Sequence, residues 1–442
     1  MRGLFILCKR HHHLYICNMH IEDIYEIYRQ YPSIQTDTRK LKKNDLFFAL
    51  KGPNFNGNLF AKEALKQGAA FVFADEETTV ADDRIIQTAN SLETLQQLAK
   101  FHRQQFDIPF IAITGSNGKT TTKELVHAVL SSLFKTYTTQ GNLNNHIGVP
   151  LTILKVAQDA EMAVIEMGAN HLREIASYCE YAMPTHGLIT NIGKAHLEGF
   201  GSVENVKKGK GELFDYLSDH DGTAFVNVDD PGVFEIGSKI ERTIFYGVSA
   251  KDYNGKIIKS DPFAEVYING SHEINIKTNL AGAYNFSNVV AAACIGNYFG
   301  IDNEKIKNAI ESYMPSNSRS QLIQSGSNTI ILDAYNANPG SMKAAIENFA
   351  SMEGDKKVLL LGGMMELGAD SKKEHANLIS LIDCYKWEAV VLTGENFNDL
   401  KDKYIHFENV MQVKQWMQQQ HFENAQILIK GSRSMQMEKV LE

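Results

Sequence analysis

The stretch that decides the fold is Phe110-Ile-Ala-Ile-Thr114-Gly115-Ser-Asn-Gly118-Lys119-Thr120, because it joins an apolar run to a turn with two glycines. A buried strand followed by glycines, a lysine and a threonine is typical of a loop that binds phosphate between a strand and a helix. Glycine lets the backbone fold tightly enough for its amides to point at phosphate oxygens. The pattern predicts a nucleotide site on an α/β sheet, followed by a helix over 125–133.

The side chains of this loop have distinct expected roles. Lys119 is expected to reach the β- and γ-phosphates, and Thr120 to offer its hydroxyl to Mg²⁺. The common G-x-x-x-x-G-K-S/T form would need a glycine at position 113, where this chain has Ile113. The loop therefore belongs to a narrower class of nucleotide-binding loops that have a shorter glycine motif. The alternative to a nucleotide-binding loop is a plain glycine turn between a strand and a helix. The residues expected to hold the nucleotide are Gly115, Ser116, Asn117, Gly118, Lys119, Thr120 and Thr121.

On both sides of the loop, apolar runs alternate with helical patterns along the chain. Such alternation favours an α/β fold with doubly wound, mostly parallel sheets. It divides the 442 residues into units expected at 19–106, 107–316 and 317–442, after an extension at 1–18. Strands are predicted at 46–50, 70–74, 110–114, 162–167, 187–191, 224–227, 243–246, 329–333, 358–361, 389–393 and 427–429.

Composition and charge exclude several classes of protein. Acidic residues outnumber basic ones, 52 to 44, and the net charge is −8, so a nucleic-acid partner is not expected. No apolar run approaches the roughly 20 residues that span a bilayer. Five cysteines lack metal-ligand spacing, which favours reduced thiols in a cytoplasmic protein. Three consecutive histidines in the extension have no accompanying carboxylates, and we expect the functional chain to start at Met19.

Further candidate residues follow other predicted strands. Glu166 stands at a strand end, where α/β sheets place groups that contact ligands, and its carboxylate is suited to Mg²⁺. His196 follows the next strand, as either a site residue or a structural histidine. Lys207, Lys208 and Lys210 crowd one stretch, and such crowding favours a neutral amine that can take up CO₂. The alternative for these lysines is a solvated basic helix.

These residues together resemble the Mur ligases, the ATP-dependent ligases of peptidoglycan synthesis. The resemblance rests on the short loop, Glu166, His196 and Lys210-Gly-Glu-Leu-Phe214, and it covers roughly residues 20–442. Thr36-Asp-Thr-Arg39 looks like the start of the family's substrate domain. Other stretches are similar to the members that add a dipeptide: Gly141-Asn-Leu-Asn-Asn-His-Ile-Gly-Val-Pro-Leu-Thr152, Glu166-Met-Gly-Ala-Asn-His171, Asp333-Ala-Tyr-Asn-Ala-Asn-Pro-Gly-Ser-Met342 and Leu361-Gly-Gly-Met-Met-Glu-Leu-Gly368.

The resemblance implies a function and a domain plan. It implies an ATP-dependent amide ligase that joins D-alanyl-D-alanine to the terminal carboxylate of UDP-N-acetylmuramoyl-tripeptide through an acyl phosphate, releasing ADP and phosphate. A small first domain would hold the UDP-sugar and a central domain would hold ATP. A Rossmann-like third domain would close with the dipeptide. The enzyme is expected to be a cytoplasmic monomer.

The resemblance also assigns roles to single residues. Thr120 and Glu166 would hold a first Mg²⁺, while His196 and a carbamylated Lys210 would help to hold a second; Lys119, Lys210 and His196 form the catalytic set. The remaining ATP contacts implied are Asn285 and Asn288 at adenine, Arg319, and Asp333 at the ribose. The substrate contacts implied are Thr38, Arg39 and Lys51 for the uridine nucleotide, Asn142, Asn144 and Asn145 for the muramoyl peptide, and Tyr335, Asn336 and Asn338 for the dipeptide.

Two departures from the family and two alternative functions remain. His146 replaces an acid that is frequent in relatives, and Asn56-Gly-Asn58 stands where Asp or His is common. A sibling ligase that adds a single amino acid would share the loop but lack the stretch that starts at Asp333. A nucleotide-dependent switch would hydrolyse ATP slowly without an amine acceptor. ADP release that depends on each substrate distinguishes all three.

Overall fold

The structure is a computed structural model that describes residues 19–77, 82–269, 273–316, 318–400 and 403–442. The described residues form two compact units. The first unit runs to Phe106 and also includes Ile153–Lys155, while the second comprises Asp107–Thr152 and Val156–Glu442. The predicted extension at 1–18 lies outside the described residues. Among the residues described, no helix has the length and apolar character needed to cross a membrane.

The first unit is a small α/β fold around a four-stranded parallel sheet in the order β1-β2-β5-β6. Every residue of β2 is buried, and the rings of Phe48 and Phe73 stack at 4.4 Å between β2 and β5. The elements are α1 Ile21–Gln30, β1 Ile34–Gln35, β2 Leu46–Phe48, β3 Lys51–Gly52, β4 Phe55–Asn56, α2 Ala61–Gln67, β5 Phe71–Ala74, β6 Ile85–Gln87 and α3 Ser91–Arg103.

The second unit contains two sheets, of which the larger has nine strands in the order β15-β14-β13-β12-β11-β10-β7-β9-β8. The strands are parallel except at β13–β14 and β14–β15. The elements are β7 Phe110–Thr114, α4 Lys119–Ser131, β8 Thr136–Thr138, α5 Gly148–Ile153, β9 Met162–Glu166, α6 Glu174–Ala182, β10 His186–Ile189, α7 Leu197–Phe200, α8 Val203–Asp219, β11 Thr223–Asn227, α9 Pro231–Gly237, β12 Thr243–Gly247, β13 Tyr253–Lys259, β14 Phe263–Asn269, β15 Glu273–Ala281, α10 Phe286–Tyr298 and α11 Asn303–Ser312.

The smaller sheet of this unit has six strands in the order β16-β17-β21-β18-β19-β20, and only β16 runs antiparallel. Its central strands are apolar and buried, as expected for a sheet covered on both faces. The elements are β16 Gln321–Ser325, β17 Asn328–Asp333, α12 Pro339–Ser351, β18 Lys357–Gly362, α13 Ser371–Ile382, β19 Ala389–Thr393, β20 Ile405–Phe407, α14 Val410–Gln419 and β21 Gln426–Lys430.

The strand order of the nine-stranded sheet determines where the candidate site lies. The chain leaves β7 toward β8 and β9 on one side and later returns to β10 on the other side. A crevice opens at such a switch point, outside the carboxyl ends of the strands. The loop after β7, the end of β9 and the segment after β10 therefore meet at one place.

The predicted α/β class and all predicted strands are confirmed, and no strand end differs from its prediction by more than two residues. The predicted helix over 125–133 is wrong at its start, because α4 begins at Lys119. Three β-branched threonines lower helix propensity over 120–122, but Gly118 (φ 76°) turns the chain directly into the helix. The antiparallel strands β13–β15 were not predicted.

Candidate active site

The loop between β7 and α4 depends on its two glycines. Gly115 (φ 142°) and Gly118 (φ 76°) adopt backbone conformations that favour glycine. A β-carbon on Gly115 would collide with the hydroxyl of Thr190, and one on Gly118 would lie 2.7 Å from Oδ1 of Asn288. The loop can therefore pack this closely only with glycine at both positions.

The segment after β10 holds the loop in place. Asn191 Oδ1 accepts a hydrogen bond from the backbone N–H of Asn117 at 2.9 Å, and its Nδ2 donates to the carbonyl of Asn117 at 2.9 Å. The hydroxyl of Thr190 donates to the same carbonyl at 2.6 Å. These three bonds fix the loop before any ligand arrives, which reduces the entropy that binding must overcome.

Lys119 places its ammonium group at the loop. Its Nζ donates to the carbonyl oxygens of Gly115 at 2.8 Å and Ser116 at 3.3 Å. Burial lowers the pKa of Lys119, while the carboxylate of Glu166 acts in the opposite direction. A cation held in this way at a helix N-terminus, where the backbone amides point outward from the helix, is suited to phosphate.

Glu166 ends β9 and is only 1% exposed. Its Oε1 accepts hydrogen bonds from the Thr120 hydroxyl at 3.1 Å and from Asn144 Nδ2 at 2.7 Å. Its Oε2 is buried and has no hydrogen-bond partner among the described residues. A buried carboxylate oxygen without a partner is costly in free energy, and a cation beside it would remove that cost. The residues present therefore fit a divalent metal ion.

Lys210 is fully buried on α8 and donates a hydrogen bond to the carbonyl oxygen of Ala169 at 2.8 Å. Its pKa lies well below the usual value, first because of burial and second because of the charge on Lys119. The predicted cause, crowding by Lys207 and Lys208, is therefore wrong. The helix turns Lys208 outward, and Lys207 pairs instead with Glu204 at 3.0 Å and Glu235 at 3.1 Å.

His196 meets a carboxylate from the segment after β18. Its Nδ1 lies 2.5 Å from Oε2 of Glu366, although the two groups are not aligned as a hydrogen bond. The adjacent His196 is the largest influence on Glu366 and lowers the pKa of that carboxyl, and Lys119 lowers it further. The neighbouring Lys194 pairs with Glu374 of α13 at 2.6 Å.

Most of the predicted site residues line one cavity of about 640 Å³ in the second unit. Gly115 and Lys210 are not among the described residues that line this cavity. The predicted residues that line the cavity are Ser116, Asn117, Gly118, Lys119, Thr120, Thr121, Asn142, Asn144, Asn145, Glu166, His196, Asn285, Asn288, Arg319, Asp333, Tyr335, Asn336 and Asn338.

The two residues predicted to contact adenine, Asn285 and Asn288, line the cavity. Asn288 Nδ2 donates to Oδ1 of Asn285 at 2.9 Å, and its own Oδ1 accepts from the hydroxyl of Thr122 at 2.9 Å. Asn285 Nδ2 donates to the carbonyl oxygen of Ala281 at 2.8 Å. These bonds tie the start of α10 to α4, directly beneath the loop.

Asp333 is held by a lysine that the sequence patterns did not indicate. Lys430 is 1% exposed, and its Nζ lies 2.6 Å from Oδ2 of Asp333. Oδ1 of Asp333 accepts a hydrogen bond from the backbone N–H of Ser320 at 3.2 Å. Lys430 ends β21 in register with Asp333 at the end of β17, so adjacent parallel strands deliver both residues to the cavity.

The predicted dipeptide residues occupy different surroundings. The ring of Tyr335 lies 3.4 Å beneath the Arg319 guanidinium, a cation–π contact, and 5.4 Å from that of Arg433. Asn338 Nδ2 donates to Oδ1 of Asn117 at 2.7 Å, while Asn338 Oδ1 accepts from the N–H of Ser341 and caps α12. Both polar atoms of Asn338 are thus engaged with protein groups, and it links α12 to the phosphate loop.

The residues predicted to bind the uridine nucleotide belong to the first unit. Thr38 and Arg39 share one short 3-10 turn, where Arg39 makes a two-point ion pair with Asp37 at 2.9 and 2.8 Å. Lys51 pairs with Glu76. These pairs are exposed, and the uridine contact itself stays a prediction.

The fold and site together define an α/β enzyme that handles a nucleotide: a rigid glycine loop, a lysine, and a buried carboxylate suited to a metal ion. Three family models match the chain, namely "Mur ligase family, catalytic domain" over residues 30–109, "Mur ligase middle domain" over 113–296 and "Mur ligase, glutamate ligase domain" over 318–433. The chain belongs to the Mur ligase family.

Individual relatives match over nearly the whole chain. The UDP-N-acetylmuramoyl-tripeptide--D-alanyl-D-alanine ligase of Bacillus subtilis is 34% identical over 425 residues, which are 92% of each chain. Among solved structures, MurF from Acinetobacter baumannii has a TM-score of 0.85 at 29% identity and 92% coverage of both chains. The MurF ligase of Thermotoga maritima in complex with ADP has a TM-score of 0.83 at 27% identity, covering 92% of this chain and 96% of that one.

Proposed function

We propose that this chain is the ATP-dependent ligase that joins D-alanyl-D-alanine to UDP-N-acetylmuramoyl-tripeptide in peptidoglycan synthesis. The observation that carries this proposal is that the loop, Glu166, His196 and the segment after Asp333 line one cavity. The identity of the relatives over 92% of their length supports the choice of substrates. We expect the enzyme to act as a cytoplasmic monomer.

The first chemical step makes a reactive carboxyl group. A carboxylate repels an incoming amine and has no good leaving group. One oxygen of the tripeptide's terminal carboxylate attacks the γ-phosphorus of ATP, the bond to the β-phosphate oxygen breaks, and ADP leaves with an acyl phosphate remaining. Lys119 neutralises charge on the transferring phosphoryl group from its position at the loop.

Thr120 and Glu166 would hold a Mg²⁺ ion, and His196 with a carbamylated Lys210 would help to hold a second. Magnesium usually keeps several waters and takes one or two carboxylates together with substrate phosphates, so a few protein ligands are enough. The ion would neutralise the phosphate charges. The chain's own part is to keep Glu166 dry and oriented through Thr120 and Asn144.

The second step forms the amide bond. The free amine of D-alanyl-D-alanine attacks the acyl carbon, the nitrogen loses a proton, and the bond to phosphate breaks. Tyr335 and Asn336 line the part of the cavity proposed for the dipeptide. Because an acyl phosphate hydrolyses when water reaches it, residues from both sheets of the second unit that line the cavity would favour transfer to the amine by limiting the access of water.

ADP release tests the function directly. UDP-N-acetylmuramoyl-tripeptide and ATP are mixed with D-alanyl-D-alanine or, in parallel, with single amino acids. We expect ADP release only with tripeptide and dipeptide together, and a product whose mass equals their condensation. Release with a single amino acid would favour the sibling ligase, and release without any acceptor would favour a switch.

Glu166→Gln is expected to lower kcat about 10²- to 10³-fold, because an amide keeps the shape of the side chain but loses the charge that a metal ion needs. Binding of Mn²⁺ in the presence of ADP, followed by electron paramagnetic resonance, should weaken in parallel. Glu180→Gln, at an exposed position of α6, is the matched control. Unchanged Mn²⁺ binding in Glu166→Gln would contradict the metal assignment.

A further inference from the structure

The segment after β18 delivers one carboxylate to the central part of the site. Glu366 Oε2 lies 2.5 Å from Nδ1 of His196, and the backbone carbonyl of Glu366 accepts a hydrogen bond from the N–H of Glu198 at 3.0 Å. The same residue therefore contacts both the side chain and the following turn of the His196 segment. None of the sequence patterns assigned Glu366 a role of its own.

A buried histidine fixes this segment from the other side. His375 on α13 is 2% exposed, and its Nδ1 lies 2.7 Å from the carbonyl oxygen of Ser371. A carbonyl can only accept, so Nδ1 carries the proton and Nε2 is free to accept from the N–H of Met364 at 3.0 Å. Gly363 N–H donates to the carbonyl of Thr393 at 3.1 Å. The backbone leading to Glu366 is thus anchored on its own sheet.

Glu366 also has a left-handed backbone, with φ at 60°. This conformation is unfavourable for a residue with a side chain and persists where surrounding contacts impose it. Here the carbonyl of Glu366 is held by Glu198, and the backbone just before it is held by the bonds of Gly363 and Met364 to Thr393 and His375. The side chain of Glu366 stays 47% exposed, while its carboxylate contacts His196, whose side chain is 19% exposed.

We propose that Glu366 is a positioning residue that acts through His196; this rests on the proposed function of the site. The carboxylate beside Nδ1 occupies that side of the ring and leaves Nε2, on a ring that lines the cavity, as the nitrogen that can hold a metal ion. A carboxylate beside the distal nitrogen of a metal-binding histidine orients the ring and raises its basicity. The carboxylate belongs to the segment after β18, so the ring of His196 is positioned in this way only when that segment contacts it.

The neighbouring pair Lys194–Glu374 supplies a matched control. It joins the same two segments at 2.6 Å, and Glu374 is 5% exposed. In the part of the chain that the structure describes, the carboxylate of Glu374 bonds to Lys194 and Asn377 rather than to His196. A general weakening of the contact between the segments would therefore affect Glu374→Gln as much as Glu366→Gln, whereas positioning of His196 would affect Glu366→Gln alone.

The test is a double-mutant cycle with Glu366→Gln, His196→Gln and the double variant. The first readout is ADP release with both substrates, with kcat and each KM determined separately. The second is binding of Mn²⁺ in the presence of ADP, followed by electron paramagnetic resonance. Thermal unfolding checks that each variant folds, and Glu366→Asp, which keeps the charge, tests for partial restoration.

We expect Glu366→Gln to lower kcat and Mn²⁺ affinity by about 10- to 100-fold, with little change in the KM for the dipeptide. The kcat and Mn²⁺ affinity of the double variant should lie within about twofold of those of His196→Gln, since both substitutions disrupt the same pair of residues. Glu374→Gln should leave Mn²⁺ affinity within about twofold of wild type.

Three results would overturn the inference. Additive losses in the double variant would mean that Glu366 acts without His196, for example by holding the metal itself. Equal losses of kcat and Mn²⁺ affinity in Glu374→Gln would mean that Glu366 only contributes to the contact between the two segments. Unchanged kcat and Mn²⁺ affinity in Glu366→Gln would mean that Glu366 does not position His196. If the wild-type protein releases no ADP with the two substrates, the proposed function fails, while the Mn²⁺ titrations still report on the pair.

Discussion

Replacement of Lys119 by alanine is expected to lower kcat for ADP release by about 10³-fold or more, with the fold intact. The ammonium is the cation at the loop that meets the phosphates, and it is partly desolvated, so its charge acts strongly. Alanine also removes the donor that satisfies the carbonyls of Gly115 and Ser116. Those carbonyls can accept hydrogen bonds from water instead. We therefore expect the substitution to lower the rate of phosphoryl transfer more than the free energy of unfolding.

Single-turnover release of ADP measures this effect without interference from product release. Thermal unfolding verifies the fold, and Lys208→Ala, at an exposed position of α8, controls for the loss of a lysine. Lys119→Arg keeps a cation and should retain more activity than alanine. Near-normal turnover in Lys119→Ala would remove the loop from the reaction and, with it, the assignment of the nucleotide site.

Lys210→Ala is expected to lose most activity and to regain part of it when short carboxylic acids are added. Burial lowers the pKa of the amine and so favours its neutral form, whose nitrogen can attack CO₂, lose a proton and become an anionic carbamate. The carbamate would carry the negative charge that a metal ion needs on this side of the site. A small carboxylate diffusing into the space left by alanine can supply a similar charge.

Labelling with ¹³C-bicarbonate gives an independent readout. The wild-type protein should show a carbamate carbon resonance that is absent from Lys210→Ala. The resonance should remain in Lys208→Ala, because Lys208 is exposed on the same helix and its removal leaves Lys210 in place. An active Lys210→Ala that carboxylic acids do not improve would leave Lys210 as a packing residue. A carbamate signal that persists in Lys210→Ala would place the modification elsewhere.

Local patterns predicted the parts of the site that lie on consecutive residues. The loop at 115–120 is readable because a strand, two glycines and a lysine follow one another, and its geometry needs those residue types in that order. Glu166 was predictable from its place at the end of an apolar run, since the ends of parallel strands face ligands. The structure adds the unpartnered oxygen that fits the metal proposal.

Other parts depend on contacts between distant segments, and no local pattern encodes them. Glu366 reaches His196 only because the two sheets of the second unit meet, and Lys430 reaches Asp333 only through the register of β21 on β17. The low pKa of Lys210 was predicted for the wrong reason. Charges nearby in sequence suggested crowding, whereas the direction of each side chain on α8 decides which lysine loses water.

The side-chain amide of Asn338 joins α12 to the phosphate loop through one weak contact. A hydrogen bond between neutral groups contributes only about 1 kcal/mol, and a helix cap contributes about as much. The link from Asn338 to Asn117 can therefore break at little cost in free energy, while the bond from Ser341 keeps the side chain oriented toward the loop. An ionic link at this position would cost more free energy to break.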